Sequence, residues 1–210
     1  MNHHLRYVLP LYPFLFLFAA RVVRWERIGR PLAAVCLLLN LASVSRVHPQ
    51  ELAYFNELVG GPENGHLHLL ESNLDWGQDL LRLRKWLDEH PEARPLRMAY
   101  HNLVDPSVYG IEYAPAPFGP CPGTRGMPPE SLGPRPGWFA ISANLVMGSY
   151  FYTPDGCWGL RPTVRGAFTY FQEFDPVARP GWGLFVYHIT PEQADRARRR
   201  LGLPPLGGRP

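Results

Sequence analysis

Two uncharged apolar runs lead the chain, YVLPLYPFLFLFAA at residues 7–20 and PLAAVCLLLNLASV at residues 31–44. Past residue 48 the apolar positions fall singly or in short groups among polar ones. Each run is about 14 residues, or roughly 21 Å as a helix, against roughly 30 Å for a hydrocarbon core. The stretch between them, RVVRWERIGR, carries Arg21, Arg24, Arg27, Arg30 and Trp25, the make-up of a cytoplasmic loop with an interfacial aromatic. Val22 and Val23 lengthen the first run, with Arg21 snorkelling past them, and Ser45 to Val47 lengthen the second. The pattern predicts a membrane hairpin within residues 1–47, with spans at about 5–23 and 31–47 and the Arg-rich bend inside. Two other readings compete. A signal peptide is opposed by a weakly basic start, two prolines in the apolar run and the lack of a small-residue cleavage site. Buried core helices of a soluble domain remain the other.

Beyond the hairpin the periodicities predict short elements. Leu52, Phe55 and Val59 have helical spacing over residues 48–61, ended by Gly60, Gly61 and Pro62. That helix either lies along the bilayer surface or packs in the ordinary way. Residues 66–70 read as a strand. Asp75 suits an N-cap, with Gln78 as its capping-box partner, for a helix over 78–90 whose Leu80, Leu83 and Leu87 share a face with Trp86 beside them. Strands follow at 96–101, 137–143 and 183–189, with a turn at 105–110 capped by Asp105 and a short aromatic helix at 167–174. Residues 114–136 hold eight prolines and four glycines and read as a long irregular loop. Thr190, Pro191 and Gln193 open a final basic helix to about residue 201, and residues 202–210 read as a disordered tail. The order of elements implies a small α/β domain over 48–201 with a mostly parallel sheet of three or four strands, extracytoplasmic if the hairpin spans.

Charge sharpens this division. Residues 1–47 carry six arginines and one glutamate, net +5; residues 48–210 carry 15 bases and 17 acids, net −2. The excess of base lies beside the apolar runs and not on the folded domain, which argues for membrane topology and against nucleic acid as a partner. Cys36 lies in an apolar run. Cys121 and Cys157 lie in loop-like polar contexts, and an oxidising compartment would let them pair.

The densest candidate chemistry lies in ESNLDWGQDLLRLRKWL at residues 71–87. Three carboxylates, Glu71, Asp75 and Asp79, stand with Asn73, Trp76 and Gln78. Such a set can act in acid and base roles or hold a divalent ion through oxygens. The plainer role gives Asp75 to the cap and Asp79 to the helix dipole. His3, His4, Arg6 and Tyr7 precede the first span on its outer end. There an arginine could meet a lipid phosphate, or simply anchor the interface with Tyr7. His68, His101 and His188 fall on expected strands. Tyr100, Tyr109, Tyr113, Tyr150, Tyr152 and residues 168–174 could line a sugar cleft, or be core and rim. Phosphate loops, dinucleotide fingerprints, zinc-protease and serine-hydrolase motifs are all missing from the sequence.

Taken together, LRYVLPLYPFLFLFAA, HPQELAYFNELVGGPENG, ESNLDWGQDLLRLRKWL, YHNLVDPSVYGIEY and GWFAISANLVMGSY resemble the C-terminal part of bacterial membrane glycosyltransferases of family 39, over nearly all of residues 4–190. These are GT-C enzymes, relatives of protein O-mannosyltransferases and aminoarabinose lipid A transferases. The resemblance implies a multi-pass protein of the bacterial inner membrane that moves a sugar from a polyprenyl-phosphate carrier to an extracytoplasmic acceptor. It sets Arg6 and Tyr7 at the outer membrane level, consistent with His4, Arg6 and Tyr7 as donor-side candidates, and places Asn73, Asp75, Trp76, Gln78 and Asp79 on the family's SNLDWGQD string, to which it assigns no catalytic role. The family's catalytic acid lies in a first outer loop that this sequence does not contain. The expectation is therefore a portion that works with further N-terminal membrane helices of the same enzyme and is not active alone. The resemblance implies no cofactor for this portion and leaves a divalent metal open for the intact enzyme. A non-catalytic, membrane-anchored glycan- or partner-binding module is the alternative.

Overall fold

The computed structural model describes residues 8–206, which divide between two compact units, Met1–Pro49 and Gln50–Pro210. The expected boundary near residue 47 falls two residues earlier. His4, Arg6 and Tyr7 lie outside the described residues.

In the first unit, the first apolar run does not make one continuous helix. A 3-10 turn at Leu9–Leu11 leads into α1 (Tyr12–Ala20), and a second 3-10 turn, Arg21–Arg24, follows. Pro10 and Pro13 explain the start: each sits in a first helical turn, where a missing N–H costs nothing. The second run forms α2 (Gly29–Val47), which begins two residues earlier than expected. Its 19 residues rise about 28 Å, so it is long and apolar enough to cross a membrane. In the bend, Arg27 takes a left-handed φ of 62° and Gly29 presses on the backbone, where a Cβ would lie 2.0 Å from the Val22 carbonyl oxygen. Neither helix has a polar side. Phe14, Phe16, Leu17 and Phe18 on α1 and Leu37, Leu38, Leu39 and Leu41 on α2 are 64–74% exposed.

The second unit is built on a four-stranded mixed sheet, mostly parallel. Its strands are β1 (Leu96–Ala99), β2 (Ala114–Pro115), β3 (Gly137–Ser142) and β6 (Leu184–Ile189), in the order β2-β1-β3-β6. β1 runs parallel to β2 and β3, and β6 closes the sheet antiparallel to β3. Both faces are covered, as the near-continuous apolar strands require. On one face α3 (Gln78–Glu89) lays Leu80, Leu83 and Leu87 over Leu96, Met98, Ala140, Leu184 and Val186. On the other, Phe139, Ile141, Phe185, Tyr187 and Ile189 pack with Phe168 and Phe171 and with Ala194 of α5 (Pro191–Arg200). The alternation along β6, Leu184 and Val186 against Phe185 and Tyr187, is the period-two signature that made the strand legible. α4 (Ala143–Val146) follows β3 directly.

Several expectations are corrected. Residues 48–61 form two 3-10 turns, Glu51–Ala53 and Glu57–Val59, and not one helix. The chain is extended at Tyr54 and Asn56, which turns Phe55 into the core, and the Asn56 side chain accepts from the Leu58 N–H to start the second turn. Residues 66–70 are no strand: Pro62–Leu67 is a 3-10 helix. Gly65 is pinned under the Phe55 ring, and His66 is buried edge-on against Phe185, 5.0 Å away. Of the expected disordered tail, residues 202–206 pack against the domain. Leu203 is buried, Pro204 accepts from Arg198, and the Leu206 N–H donates to Asp195. A hairpin that periodicity missed, β4 (Tyr152–Pro154) with β5 (Leu160–Pro162), is tied by Asp155, whose Oδ1 accepts from the N–H groups of Cys157 and Gly159. Cys121 and Cys157 are free thiols, not a pair. Cys121 is fixed as the cap of the turn at Pro122–Thr124, whereas Cys157 is exposed at the hairpin tip.

Candidate functional site

The loops leaving β1 and β3 run to opposite sides of the sheet, one to β2 and the other to β6. In open α/β sheets such a switch point, at the carboxyl ends of the strands, is where ligands gather. Here it collects Tyr100 and His101 after β1, Ser142 at the end of β3 and Asn144 just after it, the Glu71–Asp79 stretch that leads into α3, and Gly181 to Gly183 before β6.

Asp75 is the centre of a knot. Its Oδ1 accepts from the N–H groups of Gly77 (2.9 Å) and Asp79 (3.2 Å), and its Oδ2 accepts from the Tyr100 hydroxyl (2.5 Å). The expected cap is therefore present in altered form. Gly77, at φ 117°, occupies the position before α3, and the Gln78 side chain accepts from the Trp76 N–H and not from Asp75. Asp79 reaches across the domain. Its Oδ2 accepts from the Gly183 N–H at 2.8 Å, and its Oδ1 lies 3.3 Å from Arg82 Nη1. The two glycines of Gly181-Trp182-Gly183 allow this closeness. A Cβ on Gly181 would sit 1.9 Å from Asp79 Oδ1, and one on Gly183 would sit 2.6 Å from Asp79 Oδ2 and 2.8 Å from Asp75 Cβ.

Burial, then the neighbouring Asp75, push the Asp79 carboxyl up to about 8, against the opposing Gly183 N–H and Arg82. Burial first, and Asp75 beside it, also push the Tyr100 hydroxyl far up, so it stays a donor. Because the folded pKa of Asp79 lies above its unfolded value of 3.8, the fold favours the protonated form. That contribution is complete below pH about 4 and is lost as pH rises through about 8. Wild-type protein should melt several degrees lower at pH 8.5 than at pH 5. Asp79→Asn, which keeps an acceptor for Gly183, should flatten that slope in thermal scans; an unchanged slope would count against this origin.

A second cluster adjoins the first. Asn144, buried, accepts from the Glu71 N–H through Oδ1 (2.6 Å) and turns its Nδ2 to His101 Nδ1 (3.3 Å). The His101 N–H donates to Ser142 Oγ (2.8 Å), and its ring lies 4.9 Å from Phe151. Burial lowers the His101 pKa, so the ring is neutral. With Asn144 donating to Nδ1, the proton sits on Nε2, and His101 offers a donor rather than a base. Glu71 holds a left-handed φ of 62° here.

The predicted motif residues Asn73, Asp75, Gln78 and Asp79 are thus brought together, but they bond backbone groups of the protein itself, with Tyr100 and Arg82 as the side-chain partners of the two aspartates. Asn73 donates to the Leu70 carbonyl, Gln78 to the Leu74 carbonyl, and Trp76 Nε1 to the Ser72 carbonyl, with Trp76 left 66% exposed. A divalent cation does not fit between Asp75 and Asp79, since three of their four oxygens accept hydrogen bonds from N–H or O–H groups and the fourth faces Arg82. Among the described residues no group of three or more His, Cys, Asp or Glu side chains is placed to hold a metal. The aromatic set does not form one cleft. Tyr100 is buried at the knot, Tyr170 and Phe171 are core, and Tyr150 and Tyr152 are exposed beside the hairpin. His188 is exposed and stacked on Trp138, and His68 contacts the Val59 carbonyl. Gly181, Gly183 and Asn144 were not anticipated. Two glycines flanking a tryptophan just ahead of an apolar strand were the available signal of close backbone approach. Set against protein-family models, curated proteins and solved structures, the chain matches none of them.

Proposed function

We propose that this chain is the C-terminal portion of an integral-membrane glycosyltransferase of the GT-C kind, moving a sugar from a polyprenyl-phosphate carrier to an acceptor outside the bacterial inner membrane. Residues 1–47 form its last membrane hairpin, and the α/β unit stands on the outer face. One observation carries the membrane part of this reading: α1 exposes phenylalanines and leucines and α2 exposes leucines and valines, joined through an arginine-bearing bend. In water that surface would drive association; in lipid it is at home. The identity of the enzyme rests on the motif strings named above. The switch-point knot supports a structural role for SNLDWGQD, because its carboxylates are consumed in capping α3 and joining it to β6. Chemistry then falls to membrane helices and outer loops elsewhere in the enzyme, with His4, Arg6 and Tyr7 on the donor side.

Topology and activity test it separately. Cysteines placed in the bend should resist membrane-impermeant reagents in intact cells, while those at position 130 should react, and the chain should stay in carbonate-washed membranes. Transfer from a polyprenyl-phosphate sugar should disappear from membranes of cells lacking this protein. An accessible bend, or a chain released by buffer, would sink the membrane reading; undiminished transfer would sink the enzymatic one.

A second reading, a membrane-anchored glycan-binding module, is favoured by the hairpin. Trp158 at its tip is 73% exposed at a left-handed φ of 64°, with Tyr150 and Tyr152 also exposed. Stacking on sugar rings would use such a face. Glycan binding lost in Trp158→Ala, with transfer intact, would select it.

A further inference from the structure

A pocket of about 320 Å³ opens in the second unit between the 3-10 helix Thr169–Glu173, the end of α5 at Leu201 and the loop at Gly119 and Pro120. Gly119 lies against the Tyr170 ring, where a Cβ would meet Cδ1 at 2.5 Å, and its N–H donates to the Ala167 carbonyl (2.6 Å). Other donors along the lining are likewise turned into the protein. Thr169 gives both its N–H (3.2 Å) and its hydroxyl (2.9 Å) to the Gly166 carbonyl. The Tyr170 hydroxyl goes to the Pro117 carbonyl (2.9 Å), and the Leu201 N–H to the Ala197 carbonyl (3.0 Å). The Gln172 amide nitrogen is turned to the Val146 carbonyl (2.7 Å). What remains is chiefly acceptors: the Thr169 hydroxyl oxygen, Gln172 Oε1 and the Glu173 carboxylate. Residues three apart eclipse in a 3-10 helix, so Thr169 and Gln172 share a side, with Glu173 adjoining. We infer that this pocket binds a small primary ammonium ion, whose three N–H donors match those three groups of acceptor oxygens.

Two observations set the sign of the ligand's charge. Glu173 is the one charged side chain among the lining residues. Its carboxylate already holds a cation, Arg200 Nη1 at 3.3 Å. The Arg200 side chain is 65% exposed and stands outside the lining, whereas that of Glu173 is 27% exposed. A pair with so exposed a cation is weak, so Arg200 can swing into water and leave the carboxylate to an entering ammonium. A neutral polyol would miss the charge, and an anion would meet acceptors. The inference concerns the second unit alone and does not rest on the membrane reading.

The full chain in detergent, at neutral pH and low salt, is titrated by saturation-transfer NMR with three water-soluble probes of similar size: 3-aminopropan-1-ol, propane-1,3-diol and 3-hydroxypropanoate. The amine should bind at least about tenfold tighter than the diol or the acid. Glu173→Gln should weaken the amine about tenfold, and Arg200→Ala should tighten it about threefold by removing the internal competitor. A gain in affinity cannot come from misfolding, so the second variant guards the first. An amine that fails to bind, or binds no better than the diol, overturns the inference. Unchanged affinity for the amine in either variant overturns it too. So does preferential binding of the acid, which would give the site to Arg200 instead of Glu173.

Discussion

Gly181→Ala should cost the second unit about 3–5 kcal/mol, lowering its melting temperature in detergent by on the order of 10 °C. Two penalties combine. Gly181 has φ +77°, which an alanine adopts only with strain, and the new methyl would lie 1.9 Å from Asp79 Oδ1 and 2.3 Å from Asp79 Cγ. Neither the Asp79 side chain nor the backbone can yield without breaking the 2.8 Å bond from the Gly183 N–H. Gly202→Ala is the control. Its φ is +69° and nothing lies within 4 Å of the new atom, so strain alone, about 1 kcal/mol, should be lost. Equal effects of the two variants would show that the contact with Asp79 is not what the glycine protects.

Arg198→Met should be comparably severe, about 3–5 kcal/mol, because it strands buried acceptors. The Arg198 side chain is wholly buried in the last turn of α5. Nε donates to the Pro204 carbonyl (2.6 Å), Nη1 to those of Leu132 (2.5 Å) and Pro134 (3.3 Å), and Nη2 to that of Pro129 (3.2 Å). One planar fork thus holds the proline-rich loop and the chain end together. Methionine fills the volume and supplies no donor; lysine, a single point of charge, cannot reproduce the fan of bonds. Limited proteolysis should cut residues 125–135 in the variant at protease levels that leave the wild type intact, alongside the fall in melting temperature. A resistant loop would sink the clamp.

The legible parts of this protein were those whose signal is local and periodic. α3 announced itself through Leu80, Leu83 and Leu87, β6 through its alternation, and α5 through the Thr190 and Gln193 capping box, whose two bonds are both present. Asp105 capped its turn as expected. Failures came where distant contacts override the local pattern. Leu52, Phe55 and Val59 have helical spacing, yet Phe55 is claimed by the core over Gly65, and the helix breaks around it. The tail composition reads as disorder, but Arg198 captures the Pro204 carbonyl. At the site, the sequence placed Asn73 to Asp79 together and raised capping as their plainer role. It could not place Tyr100, Asn144 or Gly183 beside them, since partners 25, 73 and 104 positions away leave no trace in spacing.

That separation bears on how the molecule is made. The Asp79 carboxyl waits through the synthesis of 104 more residues before Gly183 arrives to receive it. During that interval it stands in water as an ordinary anion. When the last strand docks, the carboxyl is drawn under cover beside Asp75 and takes up a proton. Closure of this domain on its emerging C-terminal strand therefore consumes a hydrogen ion, and completes more readily in a mildly acidic compartment than in an alkaline one.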